Sequence, residues 1–459
     1  MSLETVLLQI DNNLNEATSR LLEFLRIRSI STDSAYKNDC ERAAEWLVSD
    51  LHSLGVNNAR KVKTPRHPMV MGHTDGDQPH LLFYGHYDVQ PVDPVHLWHK
   101  DPFDPTIEDS EAGAVIRGRG ASDDKGQLMT FIEACRAWKT VHKNFPCKIT
   151  FLFEGEEESG SPSLIPFLEE NKKTLKADLA LICDTGLFDS RVPAITTMLR
   201  GLLGEEVTIQ GPSKDLHSGS YGGVAINPIR VLSQIISKLH DDSGRITIPN
   251  FYEGVHELPA QLQTQWRNLE FNETHFLRDV DLCELAGESG RTALEMLWSR
   301  PTCEYNGIRG GYCGEGFKTV LPAKATAKIS FRLVGNQDPE KIRVQFRKMV
   351  RSLLPADCTA SFIEHGSGKA SNFDISNPAF EAARQALTDE WDIEAVYTGC
   401  GGSIPIAGLL QGIIGTTPML IGFGKDNDQI HSPNEKYDLQ CFHKGTRSWA
   451  RILAALTKI

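Results

Sequence analysis

A chain of 459 residues is about three times the usual domain length and long enough to bury a sizeable core. Its 40% hydrophobic and 24% charged residues are the mixture of a soluble globular protein, which excludes a disordered, collagen-like or coiled-coil chain. A net charge of −12 argues against sequence-independent nucleic-acid binding, which needs a cationic face to neutralise phosphates.

The first ~55 residues read as two amphipathic helices, with Leu3, Val6, Leu7, Ile10 and Leu14, then Leu21, Leu22 and Leu25, and again Ala43, Ala44, Leu47 and Leu51, at helical spacing. From residue 80 the pattern changes. HLLFYG (80–85), CKITFLFE (147–154) and ADLALICD (177–184) are near-continuous apolar runs, as expected of strands covered on both faces. Leu128, Phe131, Ile132, Cys135 and Trp138 mark a helix between the first two runs. Ser161 before Pro162 predicts an N-cap and the start of another helix. Strands separated by helices imply an α/β sheet.

GEEVTIQG (204–211) and ATAKISFRLVG (325–335) instead alternate apolar and polar residues, the mark of strands with one wet face. Helical patterns near 229–239 and 342–354, the latter opened by Asp338-Pro339, accompany them. Strand and helix signals of the first kind resume at Phe380–Leu387, 393–398 and 418–424, and a helix closes the sequence. The expected plan is a discontinuous α/β domain of residues 1–195 and 371–459, interrupted by an α+β domain of residues 196–370.

Ten scattered cysteines without a C-x-x-C pair predict reduced, mostly buried thiols. The N-terminus lacks a basic segment followed by an apolar one, and no apolar run reaches the ~20 residues of a membrane span. A cytoplasmic protein with neither membrane nor nucleic-acid partners is expected.

Several apolar runs end in or near metal-binding side chains. YGHYD gives His86 and Asp88, EGEEESG gives Glu156, Glu157 and Glu158, ICDTG gives Asp184, and DNDQIHSPNE, after 418–424, gives His431. GRGASDDKG places Asp123 and Asp124 just before a helix. In open α/β sheets, ligands gather at the carboxyl ends of strands, so these groups are expected to converge. Alone, each has a plainer reading: a surface pair, a solvated acidic face, a helix cap. Together they would repel one another unless divalent cations lay among them. Imidazole mixed with carboxylate and no thiolate favours zinc, with manganese or cobalt as alternatives, and two ions could share one bridging carboxylate. Rival chemistries lack their motifs: GRGASD has Asp123 where a dinucleotide loop needs its third glycine, and no Walker lysine motif or G-x-S-x-G elbow is present.

GHYDVQP, GRGASDDKGQ, EGEEESGS, ICDTG and IHSPNE together resemble the co-catalytic dinuclear zinc peptidases related to aminoacylase, carboxypeptidase G and carnosinase. KDLHSGSYGG (214–223), KTVLPAKATAKISFRLV (318–334) and GGSIP (401–405) are most similar to its cytosolic nonspecific dipeptidase and carnosine dipeptidase branch. The resemblance implies a mixed-sheet α/β catalytic domain with helices on both faces and an inserted α+β lid and dimerisation domain. It also implies a homodimer that hydrolyses small peptides with two divalent ions per subunit, zinc first and manganese second. His86 and Asp184 would hold one ion, Glu158 and His431 the other, and Asp123 both. Asp88 would orient the His86 ring and Glu157 would act as general base, leaving Glu156 as an additional carboxylate beside the site. The resemblance further implies a cis peptide between Asp123 and Asp124, an oxyanion donor at His217 reaching in from the partner subunit, a substrate-carboxylate partner at Arg332, and Thr319, Ser403 and His365 lining the same pocket. An N-acyl-amino-acid deacylase, desuccinylase or carboxypeptidase is the alternative activity. Asp at 184 favours the dipeptidases, since deacylases and carboxypeptidases of the family tend to carry Glu there. A non-catalytic relative would have no need of Glu157.

Overall fold

A computed structural model describes residues 2–110, 113–402 and 404–459. The chain divides into two compact units, Met1–Thr197 with Phe373–Thr398 and Ile406–Ile459, and Met198–Asn372 with Gly399–Pro405.

In the first unit, the N-terminal apolar stripe forms three helices rather than two: Leu3–Asn12, Leu14–Leu25 and Lys37–Ser53. The additional break falls at Asn13, a residue whose side chain competes with the helical backbone and which leaves the helical region at φ −105°, ψ 8°. The apolar runs at 80–85, 147–154 and 177–184 become the strands His80–His86, Lys148–Glu154 and Leu179–Ile182, with His80–His86 parallel to both others. Thr417–Leu420 continues the parallel order beside Leu179–Ile182, while Met69–His73 joins Lys148–Glu154 antiparallel, so the sheet is mixed. Every residue of His80–His86 is buried, which requires cover on both faces. Phe83 stacks on Phe131 of helix Lys125–His142 with ring centroids 3.7 Å apart and meets Trp449 of helix Leu439–Leu456 edge-on at 5.9 Å. Aromatic pairs of this kind stabilise by about 0.5–1.5 kcal/mol beyond their buried area and fix both helices against the strand.

The helix expected to start at Ser161 starts later, at Leu164, with Ser163 at its N-cap position. Ser161 turns at φ 50° and gives its hydroxyl to Glu154, whereas Glu156 accepts the Ser163 N–H at 3.0 Å and its hydroxyl at 2.9 Å. A carboxylate from the preceding turn thus satisfies the helix terminus that a serine was expected to cap. A small antiparallel sheet of Lys436–Asp438, Gly113–Arg117 and Thr106–Ser110 ties the segment after His431 to the segment before Asp123.

The second unit is built on an antiparallel sheet ordered Thr302–Gly310, Lys324–Leu333, Gly201–Gln210, Thr359–Gly368. Gly201–Gln210 alternates buried and half-buried residues along its whole length, as its sequence predicts. Leu203, Val207 and Ile209 on the inner face pack with Val231, Leu232 and Ile235 of helix Pro228–Ile236 and Phe346 of helix Pro339–Ser352. Asp338 caps the latter by accepting the Glu340 and Lys341 N–H groups, as the Asp-Pro pair predicts.

Among the described residues no two cysteines are joined in a disulfide, and seven of the ten are buried. Among the described residues, no helix is long and apolar enough to cross a membrane.

Candidate active site

His86 is the last residue of its strand, and its Nε2 lies 3.0 Å from Asp123 Oδ1. The other oxygen of Asp123 lies 2.9 Å from His431 Nε2, so one carboxylate bridges two imidazoles. Asp184, two residues beyond strand Leu179–Ile182, completes a group with His86 and Asp123; Glu158 completes a second with Asp123 and His431. Within each group the ligand atoms lie within 4.8 Å of one another. Two residues at or just past strand ends, two from the connections that follow strands and one at a helix entrance therefore meet, with Asp123 shared between the groups. The Asp123–Asp124 peptide is cis.

The charges here are unbalanced. Burial works against ionisation of Asp123, but hydrogen bonds from His431 and His86 outweigh it and hold its carboxyl below the usual range. Burial, with Asp123 nearby, drives Asp184 well above the ordinary aspartate value, and burial together with Asp184 and Glu158 pushes Glu157 up to about 8. Asp123 and Glu158 lift His431 to about 10, while for His86 burial is overcome by Asp123 and Asp88. Asp184, Glu157, His431 and His86 all shift toward the form with more positive or less negative charge, whereas the central aspartate, gripped by two imidazoles, shifts the other way. Glu158 Oε1 and Asp88 Oδ1 are buried without a hydrogen-bond partner. Paired imidazoles, surplus carboxylates and an orphaned Glu158 oxygen fit a site for divalent cations.

Asp88 accepts the Glu158 backbone N–H on Oδ2 at 3.0 Å. Its main-chain oxygen lies 3.1 Å from His86 Nδ1 and its Oδ1 lies 3.4 Å away, so it supports one residue of each group. Glu156 is not beside the cluster in any chemical sense. Fully buried, it also accepts the His67 N–H at 2.8 Å and the Thr64 hydroxyl at 3.2 Å, which leaves Glu157 and Glu158 as the acids of the run that face the site.

In the second unit, His217 is exposed and pairs with Val320 in a two-residue ladder beside Thr319. His217 Nδ1 accepts the Gly219 N–H at 3.0 Å, which puts the ring proton on Nε2 and makes that atom a donor. Arg332 is half-buried on strand Lys324–Leu333 opposite Leu202. Burial, with Arg332 close by, depresses Arg200 to about 10. His365 is on strand Thr359–Gly368, 3.7 Å from Glu206. Ser403 lies outside the described residues.

Two contributors, Gln90 and Glu435, escape a reading by residue type, and a third, Asp124, is expected at the site without a stated role. Gln90 donates from Nε2 to Glu158 Oε2 at 2.7 Å. Asp124, fully buried and raised to about 7 by burial, accepts the His86 N–H at 3.1 Å. Glu435 accepts backbone N–H groups of the Asp123 loop. Each stands within a few residues of a ligand-bearing position, and that proximity was the available signal.

The sequence is 31% identical over 473 residues to the Cys-Gly metallodipeptidase DUG1 of Saccharomyces cerevisiae, over 98% of each chain. The fold is similar to the crystal structure of human carnosine dipeptidase 1, with a TM-score of 0.78 and 26% identity over 100% of this chain and 99% of that one. It is similar also to Sso-CP2, an M20 family metallo-carboxypeptidase from Sulfolobus solfataricus, with a TM-score of 0.82 and 31% identity over 97% and 100%. The family profile of peptidase family M20/M25/M40 matches residues 82–455, and the chain belongs to that family.

Proposed function

We propose that this chain is a dinuclear metallodipeptidase. The observation that carries the reading is the pair of ligand groups sharing Asp123. His86 and Asp184 would hold one ion, Glu158 and His431 the other, and Asp123 both. Zinc is the proposed metal, since imidazole and carboxylate suit it and no thiolate takes part; manganese is the alternative. When bound, the ion pair would polarise the scissile carbonyl and make water a competent nucleophile at neutral pH.

Glu157 takes the proton of the attacking water on its carboxylate and delivers it to the leaving amine. Asp88 holds the His86 ring and the Glu158 backbone in register. The Arg332 guanidinium pairs with the substrate carboxylate in a two-pronged fashion, and Thr319 and His365 line the substrate pocket. The second unit serves as lid and dimerisation domain, and the partner subunit's His217 donates from Nε2 to the developing oxyanion. The cytoplasm is the proposed compartment, which suits ten cysteines not paired in disulfides.

Support for dipeptides comes from the relatives named as Cys-Gly and carnosine dipeptidases. The likeness to a metallo-carboxypeptidase favours a second reading, removal of a C-terminal residue from longer or N-acylated substrates. The wild-type protein, loaded with Zn²⁺ or Mn²⁺ and given dipeptides, longer peptides and N-acyl-amino acids, separates the two. Glu157→Ala is expected to lower kcat on dipeptides by about 10²–10⁴-fold while retaining two ions per chain by elemental analysis. Unchanged turnover would reject the base assignment, and cleavage of N-acyl-amino acids alone would reject the dipeptidase reading.

A further inference from the structure

Glu435 lies four residues after His431, at the end of the IHSPNE segment, and its side chain is wholly buried. It turns toward the loop that precedes Asp123. Its Oε1 accepts the Ser122 N–H at 2.9 Å and the Asp123 N–H at 3.0 Å. Its Oε2 accepts the Gly120 N–H at 2.9 Å and Arg119 Nη1 at 2.7 Å. Arg119, 1% exposed, gives Nη2 to the Pro91 carbonyl at 3.0 Å and lies over the Trp98 ring. A second tie runs the same way, from the Ser122 hydroxyl to Asp428 at 2.8 Å. Three backbone N–H groups of the Asp123 loop, those of Gly120, Ser122 and Asp123, thus converge on one carboxylate carried by the His431 segment.

We propose that Glu435 is a positioning residue of the dinuclear centre. Its carboxylate fixes the backbone from Gly120 to Asp123 so that the Asp123 side chain reaches His86 and His431 together, and it links the seating of Asp123 to that of His431. The inference rests on the cluster being the metal site described under Proposed function. The donor set explains why the charge matters. Both oxygens are filled by N–H donors, two of them on each oxygen, so an amide in place of the carboxylate must turn its own N–H groups toward donors. At least one backbone N–H of the loop, or the buried Arg119 charge, then loses its acceptor, and the loop relaxes away from the geometry that aims Asp123.

A purely structural ion pair would lower stability and leave metal affinity alone, so metal affinity is the deciding measurement. The full-length protein is stripped with a chelator and titrated calorimetrically with Zn²⁺ alone, with circular dichroism and thermal melts on the same samples. The variants are Glu435→Gln, Arg119→Lys and, as a comparison pair remote in sequence, Asp50→Asn, which breaks the buried contact of Asp50 with Arg136. Glu435→Gln is expected to keep native circular dichroism yet bind at least one Zn²⁺ about ten- to a hundredfold more weakly, with kcat on a dipeptide reduced and KM little changed. Asp50→Asn is expected to melt earlier with wild-type Zn²⁺ affinity. Should Glu435→Gln not fold, Arg119→Lys, which keeps the charge and loses the fork, must show the same weakening in smaller degree. Wild-type Zn²⁺ affinity in the folded Glu435 variant, or equal weakening in Asp50→Asn, overturns the proposal. A wild-type protein that binds no Zn²⁺ overturns instead the reading of the cluster as a metal site.

Discussion

Glu157 and Asp184 hold their protons to unusually high pH because burial and neighbouring carboxylates penalise the charged forms. This gives the chelator-treated protein a pH signature. Glu157, at about 8 in the fold against 4.5 ordinarily, keeps a proton the unfolded chain has released; its contribution is complete below ~4.5 and is lost as pH rises through 8. Asp184 acts in the same direction, and His431, raised to about 10 from 6.5, loses its contribution over a higher window. Asp123 is depressed, so its contribution is already constant above the normal aspartate range. The melting temperature of the chelated protein is therefore expected to fall between about pH 5 and 9, and that of the Zn²⁺-loaded protein to fall less. Parallel profiles would show that these groups do not face a cation site. At this scale the sequence disclosed which residue types gather but not which way each points. Glu156 and Glu157 are identical in type and adjacent, yet one caps a helix and the other faces the cluster, and only the turn between strand and helix decides it.

Elements were legible where burial is complete or strictly alternating. His80–His86 announces itself as an unbroken apolar run, and Gly201–Gln210 by its period of two. Arg60–Val62 and Thr106–Ser110 are short and mostly exposed, so no apolar pattern marks them. The helix carrying Phe131 was clear from its stripe, whereas the demand its first turn makes on Gly126 was not. A Cβ there would come 1.9 Å from the Ala121 carbonyl oxygen and 2.9 Å from Tyr437. The obstacle is backbone, so it cannot rotate aside. Gly126→Ala is expected to destabilise the first unit by about 1–3 kcal/mol, read from urea denaturation, and to weaken Zn²⁺ binding because the displaced loop carries Asp123. A variant as stable as wild type would mean that the loop yields more easily than its packing suggests.

For the whole molecule, the change from continuous to alternating strands marks two kinds of sheet in the sequence, because each stamps its own periodicity on the chain, whereas residues 399–405, expected with the first unit, fall in the second. The role proposed for the second unit makes a prediction that belongs to the assembly. If the partner subunit's His217 serves each centre, subunits inactivated by His217→Ala and by Glu157→Ala, mixed and reassembled, should regain part of the dipeptidase activity, because one of the two centres in each mixed pair would be intact. Mixtures as inactive as their components would place His217 in the service of its own subunit or of none.

The order of the five proposed ligands along the chain carries a consequence for biosynthesis. His86, Asp123, Glu158 and Asp184 all precede the second unit, and His431 follows it. At ordinary translation rates, the roughly 250 residues between Asp184 and His431 take on the order of 10–50 s to emerge from the ribosome. During that interval the nascent polypeptide owns one complete triad, while the other waits for its imidazole. One triad is thus complete in composition early, yet the Asp123 it shares is seated by Glu435, so tight filling of either position is expected to wait for residues beyond His431.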